Sequence, residues 1–215
     1  MTINHHPPED LLASFATGAL DAAERLVVAV HVAGCAGCGR FVQAMEQLSG
    51  AALEDAAPAP LAAGAFDAVM ARIHEGPAEA VRPLPPRAIA DHPDLPAILR
   101  RCQIGKRRRV APGVTMQPIE LSGPGRARAF LLQSAAGTRM LEHSHTGTEL
   151  TCVLKGSFSH QGGRYGPGDF DYGDDDVDHR PIVGDEGPCL CLVAMTGDLR
   201  MNGFFGRLIS PFIRL

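Results

Sequence analysis

Apolar residues recur at helical spacing through the first third of the chain and at strand-like spacing through the second half. Residues 8–75 read almost entirely as helix. Leu11, Leu12, Phe15 and Leu20 mark the apolar stripe of a first helix, which Pro7 and Pro8 open and Gly18 stops. Asp21 with Glu24 makes a capping-box start for a second helix over about 22–32. Its Val and Ala content predicts a central place in a bundle. A third helix runs from about Ala36 through Phe41, Met45 and Leu48, and the Ala/Pro-rich residues 51–64 read as a break. A short fourth helix then carries Phe66, Val69, Met70 and Ile73 on one side.

From Val114 onward the period changes. Strand-like segments at 118–121, 127–133, 148–155, 157–161, 180–183 and 189–194 alternate with Gly and Pro, as in an antiparallel sandwich or barrel. A tight turn at Gly166, Pro167, Gly168 and Asp169 feeds one further strand. Residues 76–87 carry four prolines, and Pro93 and Pro96 follow, so the join reads as a semi-rigid linker. Residues 97–103 suggest a short helix. The expected division is 1–76 helical, 77–96 linker and 97–215 β-rich.

Composition narrows the classes. Hydrophobic content of 45% and charged content of 20% in 215 residues describe an ordinary soluble protein with a real core. A formal charge of −4, no Trp and 5% aromatics argue against direct nucleic-acid binding. Lys106, Arg107, Arg108 and Arg109 form the basic cluster and read as a solvated loop. The N-terminus shows no basic leader with an apolar core, and no run approaches the ~18 apolar residues of a membrane span, so a cytoplasmic location is expected. Six cysteines are then thiols or metal ligands rather than disulfides.

Two places carry metal chemistry. Cys35 and Cys38 form Cys-x2-Cys, with His31 one helical turn earlier, so three donors come within reach of one ion. Structural zinc is almost always four-coordinate, which leaves His6 or its neighbour His5 to complete the set. The plainer alternatives are small helix residues or a redox pair, the latter needing a strand before it. This pattern, in a small helical domain with a His near its start, resembles the zinc-binding anti-sigma domain. That resemblance implies zinc ligands at His6, His31, Cys35 and Cys38. It also implies a group IV (extracytoplasmic-function) sigma factor as partner.

In the β-rich half, His143 and His145 share one face of a strand, and Glu149 can return to the same spot after a tight connection. Two imidazoles and a carboxylate outline a metal site, and His179 is placed to supply a fourth donor. Gly137-x5-His143-x-His145-x3-Glu149-x6-Gly156, with Pro167-Gly168-Asp169 and His179 after it, resembles the two motifs of the cupin superfamily. The ligand set His143, His145, Glu149 and His179 follows from that resemblance, with a second divalent metal, zinc first and Fe, Mn or Ni as alternatives. Cys189 and Cys191 lie at i and i+2 of one strand and face the barrel interior, as inert buried thiols or as a redox sensor. Cys152 has the opposite parity to Glu149 and points away, and Cys102 lies in or near the linker. His74, His92 and His160 read as surface residues, and the apolar tail 202–215 as a docking segment.

Together the halves resemble ChrR-type anti-sigma factors. The implied fold is α+β multidomain, a four-helix zinc-binding bundle followed by an all-β cupin barrel (double-stranded β-helix, jelly roll). The implied function is a transcriptional regulator that is not an enzyme. It sequesters the sigma factor and releases it when the cupin domain meets an oxidant or small-molecule signal, singlet oxygen or an organic hydroperoxide. The alternative is a metal-dependent cupin enzyme, dioxygenase-like, acting on a small organic substrate.

Overall fold

A computed structural model describes residues 2–76, 94–121, 125–140, 143–174, 180–197 and 199–201, with the side chains of 143–145 and 199–201 outside the description. Helix α1 (Glu9–Ala16) starts later than its prolines suggest. Pro8 is the N-cap and Pro7 is buried ahead of the helix, so Glu9 and Asp10 occupy the first turn, where the helix dipole favours carboxylates. In α2 (Ala22–Gly34) the expected capping box is present. Asp21 accepts the backbone N–H groups of Ala23 and Glu24 at 3.0 and 3.1 Å, and the Glu24 carboxylate accepts the N–H of Asp21 at 3.3 Å. Helix α3 (Ala36–Glu54) runs on past Leu48 into the stretch expected to be a break. Ala51, Ala52 and Leu53 are strong helix formers, and the prolines come only at 58 and 60. Helix α4 (Ala65–His74) has no buried residue. Among the described residues no single helix is long and apolar enough to cross a membrane.

After a 3-10 turn at Leu99–Arg101, where a short helix was expected, twelve strands follow among the described residues, in antiparallel pairs. They are β1 (Gln103–Ile104), β2 (Arg108–Ala111), β3 (Val114–Glu120), β4 (Arg128–Ser134), β5 (His143–His145) and β6 (Glu149–Lys155). The rest are β7 (Phe158–His160), β8 (Gly163–Tyr165), β9 (Phe170–Gly173), β10 (Ile182–Val183), β11 (Cys189–Met195) and β12 (Leu199–Met201). The large sheet has the order β1-β3-β4-β11-β6-β9, with β2 also on β3; β10-β7-β8 and β12-β5 form smaller sheets. Arg108 and Arg109, expected in a loop, lie on β2 instead, where exposed charges suit a strand paired on one side only.

Strand β11 shows how the layers are built. Cys189, Cys191, Val193 and Met195 face the barrel interior with Met116, Phe130, Val153 and Phe158. Leu190, Leu192 and Ala194 face the other way, into a second core with Leu131, Leu150, Cys152 and the helix residues Leu12, Val27 and Val28. All seven β11 residues are buried, which requires cover on both faces. Helix α2 supplies the outer cover, packing on β4, β6 and β11. Its Val-rich sequence, expected to sit centrally among helices, is instead clamped between α1 and α3 on one side and the sheet on the other. Leu95, at the end of the expected linker, is buried in this second core with Leu99. Residues 77–93, with His92, and the tail 202–215 lie outside the described residues.

A shared core has a measurable consequence. Leu192→Ala removes a fully buried side chain at the helix–sheet layer and should cost about 2–5 kcal/mol. Thermal circular dichroism should show the helical and sheet signals falling together at a lower Tm. An unchanged helical transition would mean that the halves unfold independently.

Candidate metal centre

The corner between α2 and α3 gathers the N-terminal candidates. His31 lies in the last turn of α2, Cys35 is both the C-cap of α2 and the N-cap of α3, and Cys38 sits in the first turn of α3. The axes of the two helices turn by 115° at this junction, so the three side chains converge. His6 reaches them from the extended segment before α1. The donor atoms of His6, His31, Cys35 and Cys38 all lie within 4.8 Å of one another. His31 Nε2 is 3.3 Å from Cys38 Sγ, and His6 Nδ1 is 3.4 Å from Cys35 Sγ and 3.5 Å from Cys38 Sγ.

Those spacings fit a tetrahedral ion. Zn–S of about 2.3 Å and Zn–N of about 2.0–2.1 Å at tetrahedral angles put sulfur and nitrogen about 3.5 Å apart. Two thiols and two imidazoles in a tetrahedral arrangement are also donor chemistry that suits zinc. Cys35, Cys38 and His31 are buried and His6 is exposed, so the centre opens to one side only. Without an ion the local balance favours neutral groups. Burial pushes the Cys38 thiol up to about 12, with Cys35 beside it adding to the shift. Burial likewise lowers the pKa of His31, against a hydrogen bond to Gly168 that raises it.

The choice between His5 and His6 is visible here. His5 turns away, with its ring centroid 4.2 Å from that of Tyr165 and Nδ1 3.6 Å from the Asp169 carboxylate. Asp169 is buried, which disfavours its charge. The backbone N–H groups of Gly166, Asn4 and His5, with the His5 ring, outweigh that cost and hold its pKa below the ordinary value. His160, expected at the surface, is partnered instead: it accepts the N–H of Gly162 on Nδ1 and donates from Nε2 to Asp171 at 3.0 Å. Its ring stacks on Tyr165 and Phe158. The exposed His74 bonds back to the carbonyl of Met70.

The second set is only partly in view. His143 and His145 belong to one strand, β5, as the parity reading requires, while their side chains and His179 lie outside the described residues. Glu149 opens β6 and accepts a hydrogen bond from Thr151 Oγ1 at 3.2 Å. Cys189 and Cys191 are free thiols 3.6 Å apart in the barrel interior. The Cys191 thiol is pushed well up by its hydrogen bond with Cys189, then by burial and the neighbouring Cys189, Cys152 and Glu149. Cys152 faces the helix layer, as its parity predicts, and burial raises it to about 12. Cys102 is half-buried and points its thiol toward the carbonyl of Ile98. The feature that sequence reading missed is the contact of this corner with the barrel. His31 Nδ1 donates to the carbonyl of Gly168 at 2.8 Å, and no local spacing could have signalled a partner so far along the chain.

Comparison with known proteins covers the whole chain. Residues 103–197 match the model of the ChrR cupin-like domain. The anti-sigma-E factor ChrR of Cereibacter sphaeroides is 34% identical over 220 residues, covering 100% of both chains. The crystal structure of Rhodobacter sphaeroides SigE in complex with the anti-sigma ChrR aligns with a TM-score of 0.71 and 32% identity, covering 90% of this chain and 100% of that one. An RmlC-like cupin protein from Ralstonia eutropha JMP134 aligns at a TM-score of 0.41 and 20% identity over 48% of this chain and 68% of its own. With helices, corner and barrel all inside the matched span, the chain belongs to the family of ChrR-type anti-sigma factors.

Proposed function

We propose that this chain sequesters a group IV sigma factor through its helical third, residues 1–76, and releases it when the barrel, residues 97–215, responds to singlet oxygen or an organic hydroperoxide. What carries the reading is full-length likeness to ChrR, a protein solved in complex with SigE. A surface feature supports it. Phe66 (72% exposed), Val69 and Ile73 (65%) form an uncovered apolar stripe on α4, and Leu48 and Leu53 are exposed on α3. Large apolar side chains along one helical stripe mark a protein-binding face. On this reading the protein is a cytoplasmic regulator and not an enzyme.

Zinc at His6, His31, Cys35 and Cys38 would hold the three-helix corner in its binding shape, so partner affinity depends on metal-stabilised folding. A second divalent ion at His143, His145, Glu149 and His179 would make the barrel the responsive half. Cys189 and Cys191, which face the barrel interior, would be its redox groups, and Glu149 is among the neighbours that raise the pKa of the Cys191 thiol.

Binding is tested by calorimetry with the group IV sigma factor of the same genome. Phe66→Asp and Ile73→Asp should each weaken the complex roughly 10-fold or more without altering the melt. A wild-type chain that binds no such sigma factor would sink the reading.

Metal binding should track pH with a defined sign. The ligand form of cysteine is the thiolate, and the metal-free Cys38 thiol keeps its proton until about 12. Binding therefore displaces protons, and affinity should fall about tenfold per pH unit of acidification for each proton displaced. Chelator competition between pH 8 and 6 reads this directly, and a flat profile would exclude thiolate ligation.

The division of labour has its own check. Replacing His143, His145 and Glu149 by Ala should leave repression of a sigma-dependent reporter intact and abolish its induction by singlet oxygen. Loss of repression would place the barrel site in partner binding instead.

A further inference from the structure

We propose that the barrel turn between β8 and β9, with Asp169 as its organising side chain, positions two of the four ligands of the corner metal centre. The inference rests on the metal reading above. His31 presents Nε2 to the cluster, 3.3 Å from Cys38 Sγ, and Nδ1 to the Gly168 carbonyl at 2.8 Å. A carbonyl only accepts, so Nδ1 carries the proton and Nε2 offers its lone pair to the ion. The ring orientation and tautomer of His31 are thereby set from the barrel.

The same turn sets the approach of His6. Asp169, 3% exposed, accepts the backbone N–H of Asn4 at 2.6 Å and of His5 at 3.0 Å on Oδ1, while Oδ2 accepts the N–H of Gly166 at 2.8 Å. The Phe170 N–H donates to the His5 carbonyl at 3.1 Å, so the peptide leading into His6 is held on both edges. Gly168 adopts φ +90°, and a methyl group there would lie 2.8 Å from Ile3 Cγ1 and Cδ1. Only glycine permits so close an approach of this turn to the N-terminal segment. The turn is braced in its own right by β6, through Gly168 N–H to the Val153 carbonyl at 2.8 Å and Val153 N–H to the Asp169 carbonyl at 3.0 Å. Asp169 touches no donor atom of the cluster in any of these contacts; it acts through the peptides and the turn that aim His6 and His31.

Cobalt(II) tests this in the full chain, because the part of the thiolate-to-cobalt absorption that Cys35→Ser removes reports the corner centre alone and ignores any ion in the barrel. In competition with a chelator, Asp169→Ala should weaken cobalt binding roughly 10- to 100-fold, the range for partners that orient a ligating histidine. Asp169→Asn should recover part of that loss, since its amide oxygen can still accept from Asn4 and His5. Wild-type affinity in a folded Asp169→Ala variant would overturn the proposal. A reading that needs no variant is nitrogen NMR of the zinc-loaded wild type. His31 protonated at Nδ1 and metal-bound at Nε2 is expected, and the reverse assignment would overturn it. The two readings separate cleanly: a wild-type chain without thiolate–cobalt absorption overturns the metal centre itself. A wild type that binds cobalt and sigma factor, beside an Asp169→Ala variant of equal affinity, overturns only the positioning role.

Discussion

Two-sided burial of α2 is the constraint on which the rest of the molecule depends. Val27 and Val28 are both fully buried, and neighbouring positions on a helix point about 100° apart, so a wide arc of this helix is out of solvent. Each such side chain contributes about 1.5–3 kcal/mol of transfer free energy, and neither neighbour alone could cover both. The sheet meets this demand with Leu131, Leu150, Leu192 and Ala194, residues that a self-sufficient barrel would leave facing water. Asp21 joins the layers once more at the start of α2. One carboxylate oxygen caps the helix and the other accepts the backbone N–H of Ala127 at 3.0 Å, in the segment entering β4. The helical third and the barrel therefore share a core rather than a mere boundary.

The metal corner sits where that shared core ends, and its electrostatics explain why it needs an ion. Burial is the larger reason that the Cys38 thiol keeps its proton until about 12, and the neighbouring Cys35 thiol adds to it, since two thiolates side by side would repel each other with little water to screen them. A divalent cation reverses the balance by supplying the missing positive charge. The N-terminus of α3 adds to it, because Cys35 is at the N-cap position and Cys38 lies in the first turn, where the N–H groups without helical partners favour negative sulfur. With zinc held there as proposed, folding and metal uptake at this corner would be parts of one equilibrium.

What could be read from sequence was local, and what could not was long-range. The Asp21–Glu24 capping box and the opposed faces of Cys152 and Cys191 follow from spacing within a few residues. The convergence of His31, Cys35 and Cys38 needed only a helix end and a short motif. The failures share a cause. His160 looked unpartnered because Asp171 reaches it from β9, a strand of the other sheet. Valine-rich α2 suggested a bundle centre because periodicity reports burial without naming what does the burying. Spacing could not choose between His5 and His6, whereas Asp169, far along the chain, takes the backbone N–H of His5 and leaves the next residue aimed at the thiols.

Magnitudes limit how such a centre can operate a switch. Moving a complex from 99% bound to 99% free takes about 10⁴-fold in differential affinity, about 5.5 kcal/mol. Disturbing an outer partner of a ligand shifts metal affinity by roughly 10- to 100-fold, or about 1.4–2.7 kcal/mol. That is too little to release a tightly held partner by itself. Loss of a whole structural zinc site forfeits about 10–16 kcal/mol, more than release requires. If the barrel is the responsive half, as proposed, a signal through its turn would act by biasing whether the corner keeps its ion, and helix disorder would then supply the larger free energy. The wiring has the right topology for such a bias: β6 carries Glu149 at its start and braces Gly168 and Asp169 through Val153. A change at the proposed barrel site would need to cross only one strand and one turn to reach His31.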